Sequence, residues 1–252
     1  MSPRGQSQMG FGVPPFTRGV KWLGIVTLAV SVIARLTLSR NEGAFSFAEF
    51  VAFRPSALWH GALWKLFTYT FLNPDPIQLL FALLGLWMLG ATLEQSWGTR
   101  RFVTFYFMTS ALGALATAVI GFAAPSVMGF DYFGNWSAME GLIAAFAVLM
   151  PSAQIFLYFF PVQARLMLPI SAGITVLFML MNGWQPYLPQ LFGLGAGVLL
   201  AGGASPGHFL LRARVWWIDR RLRRSKLRVV RPGDDEDPFS AKGGRGSDKY
   251  LH

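Results

Sequence analysis

The residues best suited to chemistry lie in Gly134-Asn135-Trp136-Ser137-Ala138-Met139-Glu140-Gly141, where a polar turn runs into an apolar stretch, Leu142 to Met150. Ser137 offers a hydroxyl nucleophile, and Glu140 a carboxyl one helical turn beyond Trp136. A serine becomes nucleophilic only with a base in hydrogen-bond reach. The chain has three histidines. His60 falls in an aromatic segment that reads as a membrane-interface loop, and His208 stands well past Gln190, about 27 Å along a continuous helix. Neither reads as that base. The absence of cysteine excludes disulfides, thiolate nucleophiles and sulfur-bound zinc, and so few histidines argue against a His-rich metal centre. No cofactor is expected.

The elements that must position these residues are membrane spans. The 252 residues are 53% hydrophobic and only 13% charged, outside the range of soluble domains. Six spans are expected: Val20–Leu38, Ile77–Leu93, Phe102–Ala123, Trp136–Met150, Leu166–Met181 and Leu188–Ala204. The first could be mistaken for a signal peptide, but no small-x-small cleavage site follows it. The fourth would cover only about 22 Å, which suits a helix surrounded by other helices rather than by lipid. Residues 39–75 carry Phe45, Phe47, Phe50, Phe53, Trp59 and Trp64, so they form a large first loop in the membrane interface. Ser46 and Glu49 have capping-box spacing for a short helix there, with Pro55 expected to end it. Asn73-Pro74-Asp75-Pro76 is a turn, Pro125–Asn135 an outer loop, and Gln154–Gln163 an aromatic connection. The domain reading is a flexible cytoplasmic leader over 1–19, a six-helix membrane domain over 20–205, a basic juxtamembrane segment over 206–230 and a disordered tail over 231–252.

Several of these segments resemble the signatures of the rhomboid intramembrane proteases. In that family a Gly-x-Ser-Gly-Ala segment opens the fourth helix with the nucleophile, and here the matching position is Trp136. The sixth-helix signature His-x-x-Gly-x-x-x-Gly is matched by Gln190 to Gly197, with both glycines, Gly193 and Gly197, kept and Gln190 in place of the histidine. The second-helix His-x-x-x-Asn pair of oxyanion donors falls on Gln78 and Ala82. Leu93-Glu94 through Gly98, followed by Arg101-Phe102, resembles the family's junction between second and third helices. Trp64-Lys65 stands where a Trp-Arg pair is expected; lysine lacks the planar fork of arginine. The resemblance implies an all-α membrane protein, a six-transmembrane-helix rhomboid-like bundle.

It also implies that the protease dyad is missing. Glutamine has no nitrogen that titrates near neutral pH, and alanine donates nothing to an oxyanion, though Gln78 still could. Ser137 is the fallback nucleophile, but one residue along a helix turns a side chain by about 100°, which aims it away from the sixth helix. The Trp136 indole is expected to fill the space where a substrate would bend. Glu140 should lie near Gln190, either as an interhelical tie or in binding, since intramembrane carboxyls are functional candidates. Trp136, Glu140, Gln190 and Asn73 form the expected binding set. Gly193, Gly197 and Ala138 are packing positions, their small size letting the fourth and sixth helices approach.

The expected function is a catalytically inactive rhomboid-like protein that binds or retains transmembrane segments of client proteins. The alternative is an active intramembrane serine protease with a non-standard site. Expected partners are membrane lipid and such segments, not nucleic acid, because more than half of the basic residues, 12 of 22, lie in one terminal block, Arg220 to Lys226 included, that reads as a contact for anionic lipid. Eighteen of the 22 basic residues fall on one side if both termini are cytoplasmic, which is the expected topology in a bacterial inner (plasma) membrane.

Overall fold

The computed structural model describes residues 14–38, 47–157 and 160–202. The start of the leader, Ser46 of the capping box, the basic segment 206–230 and the tail 231–252 lie outside the described residues. The sixth span is described as far as Gly202.

Among the described residues, six helices of 14 residues or more make an all-α membrane bundle: α1 is Arg18–Leu38, α2 Pro76–Trp97, α3 Thr99–Ala123, α4 Trp136–Leu149, α5 Ala164–Asn182 and α6 Leu188–Ala201. The segments α1, α2, α3 and α5 are long and apolar enough to cross a membrane. Helices α4 and α6 have 14 residues each, about 21 Å of rise, too short for a bilayer core of about 30 Å. For α4 the shortfall is harmless, because ten of its 14 residues are buried among α3, α5 and α6. By contrast, α5 is the most lipid-facing span, with 17% of its apolar window buried against 50% for α3.

Local chemistry sets the helix ends. Pro76 sits in the first turn of α2, where its missing N–H costs nothing, and Asp75 accepts from the amides of Ile77 (2.8 Å) and Gln78 (2.9 Å). At the other end of α2, buried Glu94 caps a different helix. It accepts from the amides of Gly19 (2.8 Å) and Val20 (2.9 Å) at the start of α1, and from the hydroxyls of Thr17 and Thr99. Gly98 then turns the chain into α3 at φ +80°, a conformation glycine adopts without strain. One turn of α2, Leu86–Gly90, is a π-helix. Just before it, Gly85 faces Met139 of α4; at its end, Gly90 faces Phe102 of α3 and Val20 of α1.

The first loop is built from three short helices, Phe47–Val51, Pro55–Trp59 and Lys65–Thr68, and a 3-10 turn, Tyr69–Phe71. Pro55 does not end the first of them. It opens the second, again at a first-turn position where proline is accommodated. Lys65 donates to the Glu49 carbonyl (2.7 Å) and the Trp64 indole lies on Phe50, so this pair fastens the loop to its own first helix. Partial burial pulls the Lys65 amine below its ordinary range. Phe53 and Tyr132 exchange backbone hydrogen bonds (2.8 and 2.7 Å), joining the first loop to the loop before α4. Arg54 donates its Nε to Asp131 (2.7 Å) beside that bridge, and the carboxylate holds the guanidinium above its ordinary range. The Pro125–Asn135 connection contains a further short helix, Pro125–Met128. The aromatic connection before α5 is an antiparallel ribbon, Gln154–Leu157 against Phe160–Gln163, with Gln154 opposite Gln163. Its aromatic and branched residues suit strands as well as interface loops.

Candidate functional site

The site is assembled where α3, α4 and α6 meet with almost no side chain between them. A Cβ on Gly193 would run into the Ser137 carbonyl and hydroxyl, and one on Gly197 would stand 2.6 Å from the Gly141 Cα. Gly113 of α3 closes the third side, its missing Cβ leaving room for Ser137 and for the Pro189 carbonyl at 2.6 Å. Ala138 is fully buried in the main core cluster with Leu142 and Ala145.

Ser137 lies at this meeting point. It is buried, and its Oγ donates to the Thr109 carbonyl at 3.4 Å. The expectation that it points away from the sixth helix is therefore corrected. Bare backbone at both Gly113 and Gly193 brings α3 and α6 so close that one small side chain touches both. The ionisable group beside Ser137 is Tyr69, whose hydroxyl donates to the Ser110 carbonyl at 3.0 Å. Burial pushes that phenol up to about 12, so it is not a base near neutral pH. His60, the one histidine among the described residues, is exposed in the first loop with Nδ1 2.9 Å from the Ser56 carbonyl.

Glu140 and Gln190 are bonded directly. The Gln190 amide donates to Glu140 Oε1 at 3.0 Å and to the Thr175 hydroxyl at 3.1 Å. Thr175 donates to Glu140 Oε1 at 3.4 Å, and Ser171 donates to Oε2. One carboxyl of α4 thus ties α5 to α6 in a closed polar cluster. Sequence reasoning missed Ser171 and Thr175. Their spacing of four residues, which puts both hydroxyls on one face of an otherwise apolar helix, was the available signal.

Beside this cluster a cavity of about 570 Å³ opens between the starts of α2, α4 and α6 and the end of α5. Gln78, Phe81, Trp136, Ser137, Phe178 and Gln190 lie in its wall. Trp136, 41% exposed, lines this space and does not fill it, which corrects the second expectation. The indole packs beside Gly134, whose φ of +97° swings the chain into α4 and leaves its ring at the rim. Gln78 Nε2 reaches Asn73 Oδ1 at 3.4 Å, and the Asn73 amide donates to Ser31 on α1 at 3.0 Å. Asn73 is itself buried and outside the cavity wall, with its Nδ2 lacking a hydrogen bond among the described residues. Ala82 is buried on α2 one turn beyond Gln78 and presents only a methyl group. No group of three His, Asp or Glu side chains able to hold a metal occurs among the described residues. What this geometry can do is hold an apolar or amide-bearing guest against Gln78, Trp136 and Gln190; among the described residues the Ser137 hydroxyl is bonded to a backbone carbonyl.

The family model described as the Rhomboid domain matches residues 60–206, from the first loop past α6. A stretch of 107 residues is 27% identical to the Rhomboid protease GluP of Bacillus subtilis (strain 168), covering 41% of this chain and 21% of that longer protein. With glycine-dependent packing of α4 on α6, a short buried central helix and the matched domain spanning more than half of its length, the chain belongs to the rhomboid family.

Proposed function

We propose that this integral membrane protein is a rhomboid without proteolytic chemistry that binds transmembrane segments of other proteins at the cavity beside Glu140. The observation that carries the reading is the Gln190 amide bonded to the Glu140 carboxyl: the position from which the family's imidazole acts holds a donor engaged with an acid, not a base. Ser137 adds support, since its hydroxyl is spent on a carbonyl and its neighbour Tyr69 holds its own proton. The cavity wall, with Phe81 on α2 and Phe178 on the lipid-facing α5, suits an apolar helix end whose backbone carbonyls are unpaired. Both termini lie in the cytoplasm in this reading, by the excess of basic residues on that side.

A serine-directed fluorophosphonate probe tests the reading. The purified protein is expected to remain unlabelled; labelling that disappears in Ser137→Ala would establish an activated nucleophile and overturn it. The competing reading, an active protease with a non-standard site, is favoured by the presence of Ser137 in the cavity wall and by the protease name of the Bacillus relative. Binding is tested separately. A photo-crosslinking residue at Phe178 should capture intact membrane proteins, and capture of cleaved fragments alone would support the competing reading.

A further inference from the structure

The inner end of the bundle carries a second recess that the proposed function does not use. Its volume is about 330 Å³, and it is bounded by Trp97, Arg100, Arg101 and Thr104 at one end and by Phe105, Met108 and Leu200 deeper in. Arg100, Thr104 and Met108 repeat every four residues on one face of α3, so they descend in steps of about 6 Å from the end of the span into its apolar middle. Leu200 of α6 supplies the facing wall. The chemistry therefore changes with depth from two guanidiniums, through a hydroxyl, to thioether and aliphatic surface.

Neither guanidinium is in an ion pair with a carboxylate among the described residues. Arg101 instead lies over the Trp97 ring, 5.1 Å from its centroid. That stacking orients one cation at the mouth of the recess without neutralising it, and tryptophan is itself suited to the level of lipid headgroups. The recess is thus cationic where a membrane has phosphates and apolar where it has acyl chains.

We propose that this recess is a binding site for an anionic phospholipid, with the phosphate between Arg100 and Arg101 and one acyl chain in the channel along Thr104 and Met108 toward Leu200. A zwitterionic lipid fits the apolar part equally well, but its ammonium group opposes two guanidiniums that have no carboxylate partner among the described residues, so selectivity resides at the mouth. A free phosphate satisfies only the mouth. The wall formed by Phe105, Met108 and Leu200 decides for a lipid over a soluble anion.

The test uses the full-length protein in detergent and native mass spectrometry, with added phosphatidylglycerol or phosphatidylcholine. Phosphatidylglycerol should be retained in preference, and a variant with both Arg100→Gln and Arg101→Gln should bind it about thirtyfold more weakly, from the usual gain per basic residue at an anionic surface. Met108→Trp, which fills the channel while keeping both cations, should weaken phosphatidylglycerol binding and leave the protein's unfolding midpoint within a few degrees. A charge-matched control, Arg220→Gln with Arg221→Gln, should keep most of the binding and its sensitivity to Met108→Trp. Equal loss in that control, displacement of the lipid by millimolar inorganic phosphate, or unchanged selectivity in the Arg100/Arg101 variant would each overturn the assignment. Should Met108→Trp not fold, the exposed arginine variant and the phosphate competition still decide it.

Discussion

Helix α4 meets α6 and α5 in opposite ways. Toward α6 it presents backbone to backbone, with Gly193 and Gly197 lying on Ser137 and Gly141 and no room for even one methyl group. Toward α5 it presents a carboxyl, held by Ser171, Thr175 and, from α6, Gln190. Water is absent from a bilayer core, so apolar burial does not distinguish these faces; close packing and polar bonds are what remain to join helices there. The first face is fixed by shape and leaves α6 one seat. The second is fixed by a few bonds of modest strength, and its partner α5 is the span with the least buried surface.

The contrast yields an order of effects. Gly197→Leu should cost most, about 3 kcal/mol or a failure to fold, because the obstructing atoms belong to the Gly141 backbone and cannot rotate away. The midpoint of unfolding in a detergent titration measures it, and a loss no larger than that of a polar variant would break the comparison. Glu140→Ala should cost about 1 kcal/mol, leaving three donors without their acceptor, and Glu140→Gln about half of that, since the amide oxygen still accepts. Coupling between Ser171→Ala and Gln190→Leu, which share the Glu140 carboxyl, should be near 0.5 kcal/mol in a double-mutant cycle; strict additivity would mean that the cluster is not one unit. An effect of the same small size, and the only one that salt should abolish, belongs outside the bundle. Arg54→Gln should cost about 0.5 kcal/mol at low ionic strength and nothing measurable in 1 M salt, because the Arg54 and Asp131 side chains are 42% and 40% exposed.

The sequence made the bundle legible and the site only partly so. Span positions followed from long apolar runs between Pro and Gly punctuation, and the structure moves their ends by a few residues: α2 runs on to Trp97 and α3 starts at Thr99. Gly193 and Gly197 could be placed because their spacing puts them on one face whatever the partner. The direction of Ser137 could not be. It depends on how near two other helices come, and that nearness is set by Gly113, far away in the chain and unremarkable in a helix rich in alanine. The Glu140 cluster was half visible for a similar reason. Gln190 is marked by its place in a motif, whereas Ser171 and Thr175 belong to no motif; their four-residue spacing shows a shared helix face, and only the packing of α5 against α4 shows what that face meets. The place of Trp136 in the motif implies a ring inside the substrate space, but a motif position does not fix a side-chain direction, and the indole lines the cavity wall with 41% of its surface exposed.

The π-helical turn at Leu86–Gly90 has a consequence for how this protein can be compared with its relatives. Adding one residue to a helix advances everything after it by about 100°, so the half of α2 bearing Gln78 and Ala82 and the half bearing Leu93 and Glu94 keep separate phases. A relative with an ordinary α-helix here would align with one half or the other, and only a single-residue gap would bring both into register. Deleting one residue within Leu86–Gly90 should accordingly rotate Glu94 away from the start of α1 while Gln78 stays beside Asn73, uncoupling the end of the helix that caps α1 from the end that borders the cavity.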